Sequence, residues 1–115
     1  MLLAAIDIGS NAVRLFFSNV FELNGEIIVE KASLVRIPLR LGEEVFKKGK
    51  ISGAKADALV KTMKALRLLM DVVEPEAYRA CATAAMREAQ NREALVKRIR
   101  REAGIDLEVI DGLEE

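Results

Sequence analysis

An aspartate, a glycine, two small polar residues and an arginine follow one another within IDIGSNAVRL, residues 6–15. Gly9 permits a tight turn with close backbone approach, and Ser10 and Asn11 place a hydroxyl and an amide beside it. Consecutive backbone amides in such a turn form a concavity that binds anions such as phosphate. Asp7 could hold Mg²⁺ through water, because hard cations prefer oxygen ligands. The alternative is an ordinary glycine-containing β-turn without a ligand.

A second polar constellation lies in ATAAMREAQN, residues 82–91. Thr83 is predicted at the end of a strand, and Arg87 follows four residues later on the next helix. Both lie near the helix N-terminus, where amides and the helix dipole favour an anion. A guanidinium there can bind phosphate through two hydrogen bonds. The open alternative is that Arg87 pairs with a nearby carboxylate, that of Glu88 or Glu93.

Composition limits the chemistry that is available to this chain. The 115 residues suit one domain, and 18 basic and 18 acidic residues cancel, so bulk charge favours neither nucleic acid nor membrane as a partner. The absence of histidine excludes His-based triads and His-ligated zinc. A single cysteine, Cys81, fits a reducing compartment, and the apolar start is interrupted by Asp7 and lacks a basic segment. We therefore expect a cytoplasmic protein.

Hydrophobic patterning predicts a mixed sheet. Strands are expected over residues 2–8, 12–22, 26–36, 77–83 and 106–110. The Asn-Gly pair at 24–25 predicts a hairpin, and the stretch 42–53 is interpreted as a polar connection.

Two helices are expected to pack on the sheet. One follows an N-cap at Ser52 and is apolar at helical spacing, and the other is capped by Asn91 and ends at Gly104. The inward positions of the first are predicted to be Leu59, Met63, Leu66, Met70 and Val73.

The order β-β-β-α-β-α-β predicts an α/β fold with a mixed five-stranded sheet, in which a β-meander of three strands is followed by two helix-connected parallel strands. It resembles ribonuclease H-like and actin-like ATPase domains. The alternative is another small α+β sheet.

Four motifs together resemble one protein family. AIDIGSNAVRL, RLGEEV, ATAAMREAQN and IDGLEE occur in the order and spacing of the N-terminal half-domain of exopolyphosphatases and guanosine pentaphosphate phosphatases. The resemblance covers essentially all of residues 1–115. It implies an actin-like half-domain of a larger phosphatase. The family's second phosphate loop, D-x-G-G-G-S, has no counterpart in these residues, so we expect the chain to be a fragment that is inactive by itself.

The resemblance also implies roles for individual residues. Asp7 would hold Mg²⁺ through water, and Glu115 would be the catalytic base. The expected phosphate-binding residues are Gly9, Ser10, Asn11, Arg14, Thr83 and Arg87. Two residues depart from the family pattern: Glu44 stands where glycine is frequent, and Leu113 stands where glutamate is common.

The implied activity is hydrolysis of a phosphoanhydride by in-line attack of water. Its substrate would be the end of an inorganic polyphosphate chain, guanosine pentaphosphate, or both. The resemblance leaves a homodimer possible for the full-length protein. A non-catalytic sensor of phosphate or of a guanosine alarmone is the first alternative. An ATPase or sugar-kinase relative is the second.

Overall fold

The structure, a computed structural model, describes residues 1–111. Within this range five strands form one sheet: β1 (Leu2–Ile8), β2 (Val13–Leu23), β3 (Glu26–Ile37), β4 (Ala77–Ala82) and β5 (Leu107–Val109). Their order across the sheet is β3-β2-β1-β4-β5, so β3 and β5 form its edges. The first three strands are antiparallel neighbours, whereas β4 pairs parallel with β1 and β5 parallel with β4. The predicted mixed α/β fold is confirmed.

Alternation along the strands separates a buried face from an open one. In β1 the buried side chains are those of Ala4, Ile6 and Ile8, and Ala5 between them is exposed. Because side chains alternate across a strand, the residues in register with Ala5 and Asp7 share the open face. The helices of residues 1–111 cover the buried face, where their apolar residues complete the core. The open face therefore presents Asp7 and Arg14 to solvent.

Four helices occur in the described range: α1 (Leu41–Lys48), α2 (Gly53–Val73), α3 (Ala84–Glu88) and α4 (Arg92–Ala103). The helices α2 and α4 are the two that were predicted to pack on the sheet, and α3 is the short helix that was expected to carry Arg87. The Ser52 side chain caps α2 by accepting a hydrogen bond from the Lys55 amide at 3.3 Å, as predicted. Leu59, Met63, Leu66 and Met70 face inward, also as predicted. The expectation for Val73 was wrong, because this side chain, in the last turn of α2, is 38% exposed.

The polar connection predicted over residues 42–53 was wrong in part, because α1 forms there. This helix buries Leu41, Gly42 and Val45, and its Glu43, Lys47 and Lys48 side chains are exposed. Its apolar stripe is too short and too rich in glycine and charge to give a strong periodic signal.

The capping role predicted for Asn91 was also wrong, although α4 begins directly after it. The Asn91 side chain makes no cap hydrogen bond. Its amide nitrogen donates to the Ile51 carbonyl at 2.9 Å, and its amide oxygen accepts from the Ile51 amide at 3.1 Å. Asn91 thereby fastens the start of α4 to the segment that leads into α2.

Candidate phosphate-binding site

The turn that joins β1 to β2 lies where parallel strands of the sheet end. It is closed by a hydrogen bond from the Gly9 amide to the Ala12 carbonyl at 2.9 Å. Beside it, the Thr83 amide donates to the Ile8 carbonyl at 3.1 Å, so the ends of β1 and β4 are directly joined. In open α/β sheets the carboxyl ends of the strands are the usual place for a ligand. Ser10 and Thr83 thus lie at neighbouring strand ends, as expected.

The start of α1 fixes the orientation of this turn. The Gly42 amide donates to the Ser10 carbonyl at 2.9 Å, and the Arg40 amide donates to the Asn11 carbonyl at 2.9 Å. In a trans peptide the C=O and the following N–H point in opposite directions. Because α1 holds both carbonyls, the amides of Asn11 and Ala12 are directed away from α1.

The amides of Ser10 and Asn11 donate to no backbone carbonyl of residues 1–111. They are therefore available to solvent or to an anion, as the phosphate-site interpretation requires.

Close packing against the turn favours glycine at position 42. A Cβ atom there would lie 3.0 Å from the Ser10 Cβ and 3.0 Å from the Phe46 ring. At Gly9 the situation differs, because a Cβ would meet the Ala12 carbonyl oxygen at 3.4 Å, an ordinary contact. A side chain at position 42 would therefore displace Ser10 or the Phe46 ring, whereas a Cβ at position 9 fits without displacement.

A pocket of about 230 Å³ opens beside the turn. Its lining contains five residues predicted from the sequence, together with Ala12 and Arg36: Asp7, Gly9, Ser10, Asn11, Ala12, Arg14 and Arg36. Two guanidinium groups against one carboxylate make the lining net positive. The pocket suits a small anion that accepts hydrogen bonds from backbone amides and arginine.

Arg36 was not predicted as part of the site. The Asn-Gly turn pairs Leu23 with Glu26, and continuing that register along the hairpin would place residue 35 opposite Arg14. A bulge between Leu15 and Phe16 of β2 shifts the pairing by one residue, so that Arg36 takes this place. The Asn-Gly pair predicts that β2 and β3 form a hairpin, but no sequence pattern predicts the bulge between them.

Thr83 and Arg87 lie outside the lining of this pocket. Thr83 precedes α3, and its hydroxyl makes no cap hydrogen bond to that helix. The Arg87 Nη1 atom donates to the Ile110 carbonyl at 2.8 Å, which ties α3 to the residue after β5. The structure thus brings Thr83 beside the turn and directs at least one N–H of Arg87 to backbone.

Asp7 is the carboxylate available to a metal ion in the pocket. Among residues 1–111 no group of three or more His, Cys, Asp or Glu side chains is arranged to hold a metal. Mg²⁺ is commonly held by one or two carboxylates together with substrate phosphates and water. A single carboxylate beside an anion pocket therefore fits Mg²⁺ that arrives with a phosphate ligand.

Glu44, a departure from the family pattern, has its carboxylate bound to a neighbouring element. Its Oε1 accepts from the Ser52 hydroxyl at 2.9 Å and from the Ser52 amide at 3.3 Å. These hydrogen bonds lower the pKa of the Glu44 carboxyl below its ordinary value. Glu44 therefore links α1 to the start of α2 and is absent from the pocket lining.

A larger cavity of about 320 Å³ lies at the opposite end of the sheet, where β4 begins. Its charged lining consists of Arg67 and three acidic residues, Asp71, Glu74 and Glu76. Arg67 already pairs with Asp71 at 3.3 Å. The excess of negative charge makes this cavity unsuitable for phosphate.

Glu115, the expected base, and Leu113 lie outside the described residues. No helix within residues 1–111 combines the length and apolar character that crossing a membrane would require.

Comparison with known proteins places the chain in a family. Exopolyphosphatase 1 of Mycobacterium tuberculosis is 31% identical over 115 residues, which are all of this chain and 33% of that protein. The structure of the Aquifex aeolicus PPX-GPPA enzyme superposes with a TM-score of 0.85 at 31% identity, over 100% of this chain and 37% of that one. An exopolyphosphatase structure from Cytophaga hutchinsonii gives a TM-score of 0.80 at 30% identity, over 100% and 36% of the two chains.

The chain spans about a third of the length of the curated exopolyphosphatases that it matches. Residues 27–115 match the profile of the Ppx/GppA phosphatase family. The likeness to the solved structures extends over the whole chain, with its actin-like half-domain architecture. This chain belongs to the Ppx/GppA phosphatase family.

Proposed function

We propose that the complete polypeptide containing these residues hydrolyses the terminal phosphoanhydride of inorganic polyphosphate, guanosine pentaphosphate, or both. The observation that carries the proposal is the pocket beside the Gly9–Ala12 turn. It combines outward amides, the Arg14 guanidinium and a carboxylate at the strand ends. The relatives named exopolyphosphatase support inorganic polyphosphate as one of these substrates.

In this proposal the turn binds the phosphate that is attacked. The Ser10 and Asn11 amides and Arg14 stabilise the charge that develops on its equatorial oxygens, since fixed donors need no reorganisation during the reaction. Glu115 takes the proton of the attacking water. Mg²⁺ beside Asp7 would neutralise phosphate charge and orient the phosphate chain.

Thr83 and Arg87 have supporting roles in the proposal. The Thr83 backbone lies next to the end of β1, and its hydroxyl, which makes no cap hydrogen bond, would donate to a phosphate oxygen. Arg87 would bind phosphate with donors other than the Nη1 that contacts the Ile110 carbonyl, because a guanidinium carries five N–H groups. Arg87→Ala should then weaken substrate binding as well as turnover.

The test is release of inorganic phosphate by the complete polypeptide with Mg²⁺, measured with long-chain polyphosphate and with guanosine pentaphosphate in parallel. Replacing Glu115 by Gln should lower kcat by about 10²- to 10⁴-fold, the usual contribution of a general base. Substrate affinity should hold or improve slightly, because a negative charge near an anion is removed. Glu22→Gln, an exposed change near the hairpin tip of β2, is the matched control and should leave kcat unchanged.

Retention of near wild-type kcat by Glu115→Gln would place the base elsewhere, with Glu114 the next residue to replace. Release of phosphate from neither substrate would contradict the proposed function. The 115-residue chain alone should be inactive, since catalysis by positioning requires the phosphate to be held from two sides.

A binding function without catalysis is the second candidate. Its support is the chemistry of the pocket lining, which contains one carboxylate, that of Asp7, among groups that otherwise donate hydrogen bonds. Saturable binding of phosphate or guanosine pentaphosphate by the complete polypeptide, with no turnover of either substrate, would favour this sensor over the enzyme. A homodimer and a cytoplasmic location remain predictions.

A further inference from the structure

Arg36 and Arg14 form a cross-strand pair of like charge at the edge of the pocket. They are partners in the β2–β3 register, both are exposed, and both line the cavity beside the turn. Like charges directly opposite each other in a sheet are destabilising. An anion between them would remove this repulsion.

Neither guanidinium is neutralised by the part of the chain that the structure describes. No carboxylate among residues 1–111 forms an ion pair with Arg14 or Arg36, although Asp7 lies in register with Arg14 on β1. Other exposed arginines of the chain do have such partners, for example Arg79 with Glu108 at 3.2 Å. The two pocket arginines therefore have hydrogen-bond donors available for a ligand.

The two arginines lie at different distances from the Gly9–Ala12 turn. Arg14 lies on β2, the strand that continues directly from the Gly9–Ala12 turn, whereas Arg36 lies one strand further away on β3. Neighbouring strands are about 4.8 Å apart. A phosphate held by the turn is thus nearer to Arg14, and Arg36 can reach the next phosphate of the same chain.

We propose that Arg36 binds the phosphate group adjacent to the one held by the turn, so that the Arg14–Arg36 pair selects condensed phosphates over single phosphate. This inference rests on the proposed function and adds a recognition residue to it. The ligand class is a linear anion with at least two consecutive phosphate groups. Arginine suits this role because its planar fork can contact two oxygens of one phosphate.

Binding of two probes to the 115-residue chain tests the inference. Orthophosphate and tripolyphosphate are titrated into the chain separately, up to millimolar concentrations. Amide chemical shifts report binding, and their concentration dependence gives the two dissociation constants. Arg36→Ala should weaken tripolyphosphate binding about 3- to 10-fold, as expected for one exposed charge-assisted contact, and leave orthophosphate binding nearly unchanged. Arg36→Lys should fall between wild type and Arg36→Ala.

Lys31→Ala is the matched control. Lys31 lies on the same strand and pairs with Ser18, which shares the face of Arg14. The Lys31 ammonium lies over the Phe16 ring, 4.6 Å from its centroid. Phe16 is two positions of β2 from Arg14, about 7 Å, so this charge adds general attraction for both probes although Lys31 is absent from the pocket lining. Lys31→Ala should therefore weaken binding of the two probes alike, and by less than Arg36→Ala weakens tripolyphosphate binding.

Two results would overturn the role of Arg36 while leaving the proposed function intact. The first is that Arg36→Ala weakens binding of orthophosphate and tripolyphosphate equally. The second is that Lys31→Ala weakens tripolyphosphate binding as much as Arg36→Ala does, which would indicate general electrostatic attraction. If the wild-type chain bound neither probe, the phosphate site itself would be wrong, and the inference would fail with it.

Discussion

The two turns that connect the first three strands are held in different ways. The Asn24–Gly25 turn uses two residues with positive φ, 53° and 80°, and a Cβ atom at Gly25 would contact nothing within 4 Å. The turn that follows β1 contains no residue with positive φ. It is held instead by Gly42 and Arg40 of the α1 start and lies beside the Thr83 contact.

The difference separates a turn made by local chemistry from one made by tertiary contacts. Asn-Gly adopts the left-handed conformations of a hairpin turn without outside help. The Gly9–Ala12 turn has its carbonyls engaged by another element, which leaves amides of the turn available for an anion. A turn of this kind depends on residues that lie 29 and 32 positions away in the sequence.

The largest expected effect comes from placing valine at Gly42. The new side chain would collide with the Ser10 Cβ and the Phe46 ring, which a Cβ alone already approaches to 3.0 Å. We expect a loss of about 1–3 kcal/mol in the free energy of unfolding, typical of overpacking. Orthophosphate affinity of the 115-residue chain should fall about 5- to 10-fold, because displaced carbonyls no longer orient the turn amides. Chemical denaturation and titration followed by amide shifts measure the two effects.

Gly25→Val is the matched change in the other turn. It forces a β-branched residue into a left-handed conformation at a cost of about 1–2 kcal/mol. Phosphate affinity should stay at the wild-type value. Equal losses of affinity from both variants would show that the two turns are not distinct in the way described.

Ser52→Ala should have an intermediate effect. The Ser52 hydroxyl both caps α2 and donates to Glu44 of α1. Loss of an N-cap costs about 1 kcal/mol of stability. Phosphate affinity should fall less than in Gly42→Val, because the contacts of α1 with the turn are retained. Thermal unfolding measures the stability, and titration with orthophosphate measures the affinity. A loss of affinity as large as that of Gly42→Val would contradict the prediction that Ser52→Ala has the smaller effect.

The smallest effect is a pH dependence that arises from Glu44. Folding lowers the pKa of this carboxyl, so its contribution to stability is present above the unfolded value of about 4.5. The contribution is lost as the pH falls through the lower pKa of the folded state. Glu44→Gln should therefore be less stable than wild type near neutral pH, and the two unfolding free energies should converge in acid.

In the Ser52→Ala background the Glu44→Gln substitution should change the pH profile much less, because the principal hydrogen bond has already been removed. If Glu44→Gln changed the pH profile of stability as much in that background as in wild type, neighbours other than Ser52 would be responsible for the lowered pKa of Glu44.

The sequence predicted those parts of the fold that depend on local pattern. A nearly continuous apolar run located β1, a run rich in Val, Leu and Phe located β2, and the Asn-Gly pair located β3. An apolar stripe behind Ser52 located α2. It did not predict α1, whose docking depends on contact between Gly42 and Ser10, nor the use of Asn91 to bind Ile51. These interactions join distant segments, which periodicity does not report.

The candidate site divides in the same way. Residues of the β1–β2 turn were predicted together because they are contiguous, and the structure places them around one pocket. Arg36 was missed because a bulge sets its register. Arg87 was located correctly on the helix after β4, but its contact with the Ile110 carbonyl depends on where β5 ends. Roles for these residues remain predictions.

The position of β3 at the edge of the sheet has a consequence for solubility. Its outer backbone groups have no neighbouring strand in the described structure, and Ile27 and Val29 near the hairpin tip are exposed. Such an edge can pair with the same edge of another molecule and start aggregation. Charged Glu30 and Lys31 follow directly, and the β-bulge interrupts the regular strand before Arg36. The bulge that brings Arg36 to the pocket therefore also makes the edge a poorer template for intermolecular strands.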